Sequence, residues 1–147
     1  MKIAIVHHAE KKTDIEDPSL TVFGIEQSKK AAQFVAQHLD IHKIFHTQTQ
    51  RTRQSAEALQ IIFPSAECIS IAEAPQEWDA WCIFTENLYK QSPYPCALIC
   101  HHTTLQMCKK QFQLSLSLSS HSSVIILERT QHKQWDLLEF RQGEISL

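Results

Sequence analysis

Two histidine pairs, His7-His8 and His101-His102, each follow a short apolar run, Ile3-Ala4-Ile5-Val6 and Cys96-Ala97-Leu98-Ile99-Cys100. Runs of this kind read as strands covered on both faces. Ligands of open α/β sheets bind beyond the carboxyl ends of the strands, so both pairs are expected at one rim. Arg51 and Arg53 follow another run that ends at His46, and they can reach the same rim. A neutral imidazole can attack phosphorus or take up a proton near neutral pH. A guanidinium is permanently charged and offers a planar fork of donors to phosphate oxygens. Two histidines and an arginine at one rim therefore suit a phosphoryl group. The four histidines could in principle hold zinc or another transition metal. Neighbours on a strand point to opposite faces, which argues against adjacent pairs ligating together. No metal and no other cofactor is expected.

The elements that must position these side chains can be read from periodicity. After the first strand a polar loop runs from Glu10 to Ser19. Thr21 is suited to cap a helix, and Ser28, Ala31, Ala32, Val35 and Leu39 recur at helical spacing over 22–39. A strand is expected over 41–46 and a helix over about 48–63, ended by Pro64. A weak strand at 68–71 and a helix over 79–89 follow. The strand at 96–100 leads into a helix through Leu105 and Phe112. Strands at 124–127 and 135–140 close the chain as a hairpin whose turn lacks glycine. Alternating strands and helices predict a three-layer α/β/α fold, a mainly parallel sheet with helices on both faces and an antiparallel edge hairpin.

The 147 residues suit one domain, 1–147, large enough for a substantial core. Apolar and charged fractions of 43% and 20% are ordinary for a globular chain, and the net charge of −2 advertises neither nucleic acid nor an anionic membrane as partner. No apolar run approaches the length of a membrane span. The apolar stretch after Met1 is too short for a signal-peptide core. Five scattered cysteines without a CxxC pair fit reduced, mostly buried thiols, so a cytoplasmic protein is expected. There is no GxGxxG and no Walker loop.

Four blocks, in order and at matching spacing, resemble the histidine phosphatases, the phosphoglycerate mutase-like superfamily. His7-His8-Ala9-Glu10 is similar to that family's Arg-His-Gly-Glu. Leu20-Thr21-x-x-Gly24-x-x-Gln27-Ser28 is similar to its Leu-Thr-x-x-Gly-x-x-Gln-Ala. Arg51-Thr52-Arg53-Gln54-Ser55-Ala56 resembles its Arg-Ala-x-Gln-Thr-Ala helix, and Leu98-Ile99-Cys100-His101-His102 its Val-Gly-His-Asn segment. The short length resembles the phosphohistidine phosphatase branch. The resemblance implies that His8 is the nucleophile that is transiently phosphorylated, and that Arg51 and His101 hold the phosphoryl oxygens with His7 and His102 beside them. It also implies an acid for the leaving group. Glu77 falls in the matching interval, with Asp79, Glu73 and Asp14 as alternatives. The expected partner is a phosphorylated small molecule or phosphoprotein; the oligomeric state is open.

His7 stands where the family has arginine, Ala9 where it has glycine, and His46-Thr47-Gln48 where it has Ser-Ser-Pro. Loss of an oxyanion donor of this kind costs about 10²–10³ in rate, so weak or acid-shifted activity is expected. The alternative is a non-catalytic module of the same fold that binds a phospholigand or partner. Arg53 reads as a solvated charge and Trp78, Trp81 and Phe84 as packing residues. The Ser/Leu alternation from Leu114 to Ser120 reads as half-exposed. His38, His42, His121 and His132 carry no signal.

Overall fold

The structure, a computed structural model, describes residues 1–13, 15–115 and 121–143. Asp14 and most of the Ser/Leu alternation lie outside the described residues. The elements run β1 (Lys2–His7), α1 (Val22–His38), β2 (Lys43–His46), α2 (Gln50–Ile62), β3 (Glu67–Ser70), α3 (Trp78–Gln91), β4 (Cys96–Cys100), α4 (His102–Phe112), β5 (Val124–Arg129) and β6 (Trp135–Arg141). The sheet order is β3-β2-β4-β1-β5-β6. β3, β2, β4 and β1 are mutually parallel, whereas β5 runs antiparallel to both β1 and β6.

Side chains alternate across a strand, and the alternation here builds two cores. Ile3, Ile5, Phe45, Leu98, Ile125 and Leu127 pack with Trp81 of α3 and Leu105 and Cys108 of α4. Ala4, Val6, Ile44, Ala97, Ile99, Val124 and Ile126 pack on the other face with Ala31, Ala32 and Val35 of α1 and Ala56 and Leu59 of α2. This is the expected three-layer α/β/α arrangement. Each fully buried aliphatic side chain contributes about 1.5–3 kcal/mol, so the two cores fix the register that lines up the strand ends. The five cysteines are free; Cys96, Cys100 and Cys108 are buried and Cys68 and Cys82 exposed. No helix among the described residues is long and apolar enough to cross a membrane.

The β5–β6 hairpin closes without glycine because Lys133 takes the left-handed conformation, φ 60°, while Thr130 N donates to Gln134 O at 2.8 Å. The chain's two glycines serve close approach instead. A Cβ on Gly24 would lie 2.1 Å from the Glu10 carbonyl oxygen, and one on Gly143 would lie 1.6 Å from that of His121. The first contact presses α1 against the loop after β1, and the second presses the segment after β6 against the backbone just before β5.

Candidate active site

The blocks separated in sequence interlock around the loop after β1. Thr21 caps α1, accepting from Gly24 N at 2.9 Å, and its hydroxyl donates to Glu10 Oε1 at 2.9 Å. Gln27 Oε1 accepts from Glu10 N at 2.8 Å. From α2, Gln54 Oε1 accepts from Leu20 N at 2.7 Å, and Ser55 Oγ accepts from Ala9 N at 3.0 Å while donating to Arg51 O at 2.8 Å. Gln27, Gln54 and Ser55 each satisfy a backbone N–H of the loop that would otherwise be left unpaired. That is the physical reason for their spacing.

His8 lies just past the end of β1 and is 4% exposed. Its backbone N–H donates to Cys100 O at 3.0 Å, and its carbonyl accepts from Ser122 N at 3.2 Å. Its Nδ1 lies 2.8 Å from Ala9 O. A carbonyl only accepts, so Nδ1 carries the proton and Nε2 keeps the lone pair. Burial first, then the proximity of His7, lowers the His8 pKa to about 2, with His101 and His121 adding to the effect and the Ala9 bond opposing it. His8 is therefore a neutral imidazole with an unprotonated Nε2 throughout the physiological range.

His101 follows β4 at the N-cap of α4, with its ring 5.3 Å from that of His8. Burial, then the Arg51 charge, lowers its pKa to about 4. Its Nε2 lies 3.0 Å from Thr47 Oγ1, which is 2.9 Å from Thr52 Oγ1. Thr52 in turn donates to Thr47 O at 2.9 Å. This hydroxyl relay, built where the family pattern has Ser-Ser-Pro, fixes the His101 ring. Arg51 sits in the first turn of α2, and its Nε is buried with no acceptor among the described residues. A buried donor of that kind is costly unless a ligand completes it.

His121 joins the site although its sequence neighbourhood carries no signal for it, and the expectation that it stands apart is corrected. Its ring stacks on His7 at 5.2 Å and lies 5.4 Å from His8. Because β5 runs antiparallel beside β1, the residues just before β5 meet the carboxyl end of β1. Strand alternation does not separate the adjacent histidines His7 and His8. His8 is beyond the strand, so its ring turns back to 4.6 Å from that of His7. Burial lowers the His121 pKa, partly opposed by Glu10.

The other predicted residues are less central. His102 is exposed on the first turn of α4, and Arg53 is exposed on α2. Glu77, the N-cap of α3, is exposed and borders a groove with Glu73, Pro75 and Phe84. Glu73 alone among the described acid candidates also lines the cleft of about 180 Å³ that holds Thr47, Thr49 and His101. Thr104 Oγ1 donates to Pro75 O at 2.6 Å and ties this segment to α4. Asp79 is exposed in the first turn of α3. A separate cavity of about 550 Å³ between α3 and the β5–β6 hairpin is lined by no histidine.

Residues 4–81 match the Histidine phosphatase superfamily (branch 1). The chain belongs to that superfamily. No curated protein matches it. Among solved structures it is similar to the protein histidine phosphatase SixA complexed with tungstate (TM-score 0.76, 12% identity, 97% of each chain covered). It is also similar to a phosphoserine phosphatase from Entamoeba histolytica in complex with 3-phosphoglyceric acid (0.67, 15%, 97% of this chain and 98% of that chain). A third is a mycobacterial glucosyl-3-phosphoglycerate phosphatase with bound VO3 (0.72, 12%, 97% and 99%). At these identities the likeness is one of fold. It covers nearly the whole of each chain and bears out the fold expected of a short member of the superfamily.

The lowered histidine pKa values give a stability prediction. An unfolded histidine titrates near 6.5. Below that pH the unfolded chain binds protons that folded His8 refuses, so stability falls as pH drops from 6.5. For His8 the loss is roughly 2 kcal/mol at pH 5. Thermal melts should show Tm lower at pH 5 than at pH 7, with a shallower slope in His8→Ala. Equal slopes in the two proteins would contradict the buried, neutral state of His8.

Proposed function

We propose that this histidine phosphatase superfamily member hydrolyses a phosphomonoester or phosphohistidine through a phosphohistidine formed on His8. The observation that carries the reading is the Nδ1–H bond of His8 to the Ala9 carbonyl, which presents Nε2 as an unprotonated nucleophile. The phosphoryl oxygens bind Arg51 and His101, with His7 and His102 flanking them and the N-terminus of α4 adding its dipole. Nε2 attacks phosphorus as the bond to the leaving oxygen breaks, and a carboxylic acid protonates that oxygen. Glu73, beside His101, suits this role better than Glu77. Water then attacks phosphorus and gives its proton to the same carboxylate, the P–N bond breaks, and His8 returns to the neutral form. Oxyanions occupy two of the structurally similar phosphatases, tungstate in one and VO3 in the other, which supports a phosphoryl pocket in this fold.

The test is turnover of a phosphohistidine peptide and of an aryl phosphate from pH 5 to 8. Turnover of either supports an enzyme, and preference for the first would identify the substrate class. Full activity that is flat over this range would contradict the weakening expected from His7 in place of arginine. Phosphate binding without turnover of either substrate would favour the non-catalytic module.

A further inference from the structure

We propose that His7, His8 and His121 form a site for a divalent transition-metal ion of the zinc or copper class, and that this ion competes with the phosphoryl group for His8. One ring nitrogen from each of the three histidines lies within 4.8 Å of the others. His7 and His8 are buried and His121 half-buried. The frame is braced on every side. His7 N donates to Ser123 O at 2.9 Å, Ser122 N donates to His8 O at 3.2 Å, and Gly143 N donates to Ser123 Oγ at 2.9 Å.

The donor set selects the ion. Three imidazoles suit zinc, copper and nickel, whereas magnesium and calcium require oxygen ligands, and no carboxylate belongs to the cluster. Three protein ligands with an open fourth position is the arrangement of a reactive rather than a structural zinc site. The His8 Nδ1 bond to Ala9 O supplies the outer hydrogen bond that orients a ligating imidazole, and it leaves Nε2 as the His8 ligand atom. Metal–nitrogen bonds of about 2.0–2.1 Å require the rings to draw together by roughly an ångström, a side-chain adjustment about χ1 and χ2. The substitution of His7 for arginine thus replaces a cation that repels metal with a ligand that binds it.

Competition follows from the shared Nε2, and this part rests on the reading of His8 as the nucleophile. An ion on Nε2 removes the lone pair that attacks phosphorus, so zinc should inhibit turnover and a chelator should restore it. The site itself is tested without reference to turnover. Zn²⁺ and Cu²⁺ are titrated separately into the metal-free full chain by calorimetry. The same titrations are made on His7→Ala, His121→Ala and a control with both exposed His38 and His132 changed to alanine. One ion per chain is expected, copper binding more tightly than zinc. Each site variant should lose at least ~10-fold in affinity, the least that even an outer partner costs, and the control should keep the wild-type value. Where an alanine variant does not fold, His7→Gln or His121→Gln replaces it. Equal affinity in wild type and site variants overturns the site, and full turnover in the presence of saturating ion overturns the competition. Ion binding that the site variants lose, in a chain that turns over no phosphorylated substrate, upholds the site and removes the phosphatase reading instead.

Discussion

Replacing His8 with alanine should reduce turnover by a factor on the order of 10⁶, the scale seen when a hydrolase loses its nucleophile. The expectation rests on geometry more than on the identity of the residue. Nδ1 is committed to Ala9 O, burial keeps the ring neutral, and the His101 and His121 rings lie 5.3 and 5.4 Å away. Their orientations differ: the His101 ring is fixed through Thr47, and His121 is stacked on His7. Neither is placed as a substitute, so residual activity should not pass through a covalent intermediate. Wild type incubated with labelled substrate and quenched in base should retain label on the protein, and His8→Ala should retain none. The substitution also removes one hydrogen bond, which contributes about 1 kcal/mol, so a circular dichroism melt is needed beside the kinetics. If His8→Ala is folded and retains more than about a tenth of the activity, another nucleophile operates and the proposed function fails.

The fold was legible because strand and helix periods in this chain are clean. The apolar runs at 3–6 and 96–100 and the spacing of Ala31, Ala32 and Val35 each mark an element now seen at β1, β4 and α1. Placement of His8, Arg51 and His101 at one rim followed from the rule for strand ends. What the sequence left hidden depended on pairing. Nothing local to His121 says that β5 will lie antiparallel against β1, yet that pairing alone brings it to His7. The convergence of adjacent histidines was hidden for a related reason, since alternation holds only within the strand and β1 stops at His7. Thr47 and Thr52 were equally silent, because short hydroxyl side chains acquire a role only when tertiary structure supplies their partners. The choice between Glu73 and Glu77 turns on a loop held by the Thr104 bond to Pro75, a contact between segments 29 residues apart in the chain.

Arg51→Ala should cost at least ~10²–10³ in kcat/KM, the range for loss of one preorganised charge donor. The family pattern places two arginines in the pocket. Here His7 occupies the first position, and His8, His101 and His121 all have lowered pKa values, so Arg51 carries the pocket's permanent positive charge. Because its Nε has no acceptor among the described residues, removing that donor breaks no bond seen there, and stability should change far less than activity. Arg51→Lys should recover only part of the loss, since an ammonium supplies charge without the fork. A second consequence separates electrostatics from mere packing. The Arg51 charge is one of the causes that lower the His101 pKa, after burial. In Arg51→Ala that pKa moves back toward 6.5, so His101 takes up a proton at higher pH than in wild type and restores positive charge to the pocket. The deficit of Arg51→Ala relative to wild type should therefore narrow between pH 8 and pH 5. Kinetics of both proteins across that range check it, and a deficit constant with pH would mean that Arg51 acts on the substrate without acting on His101.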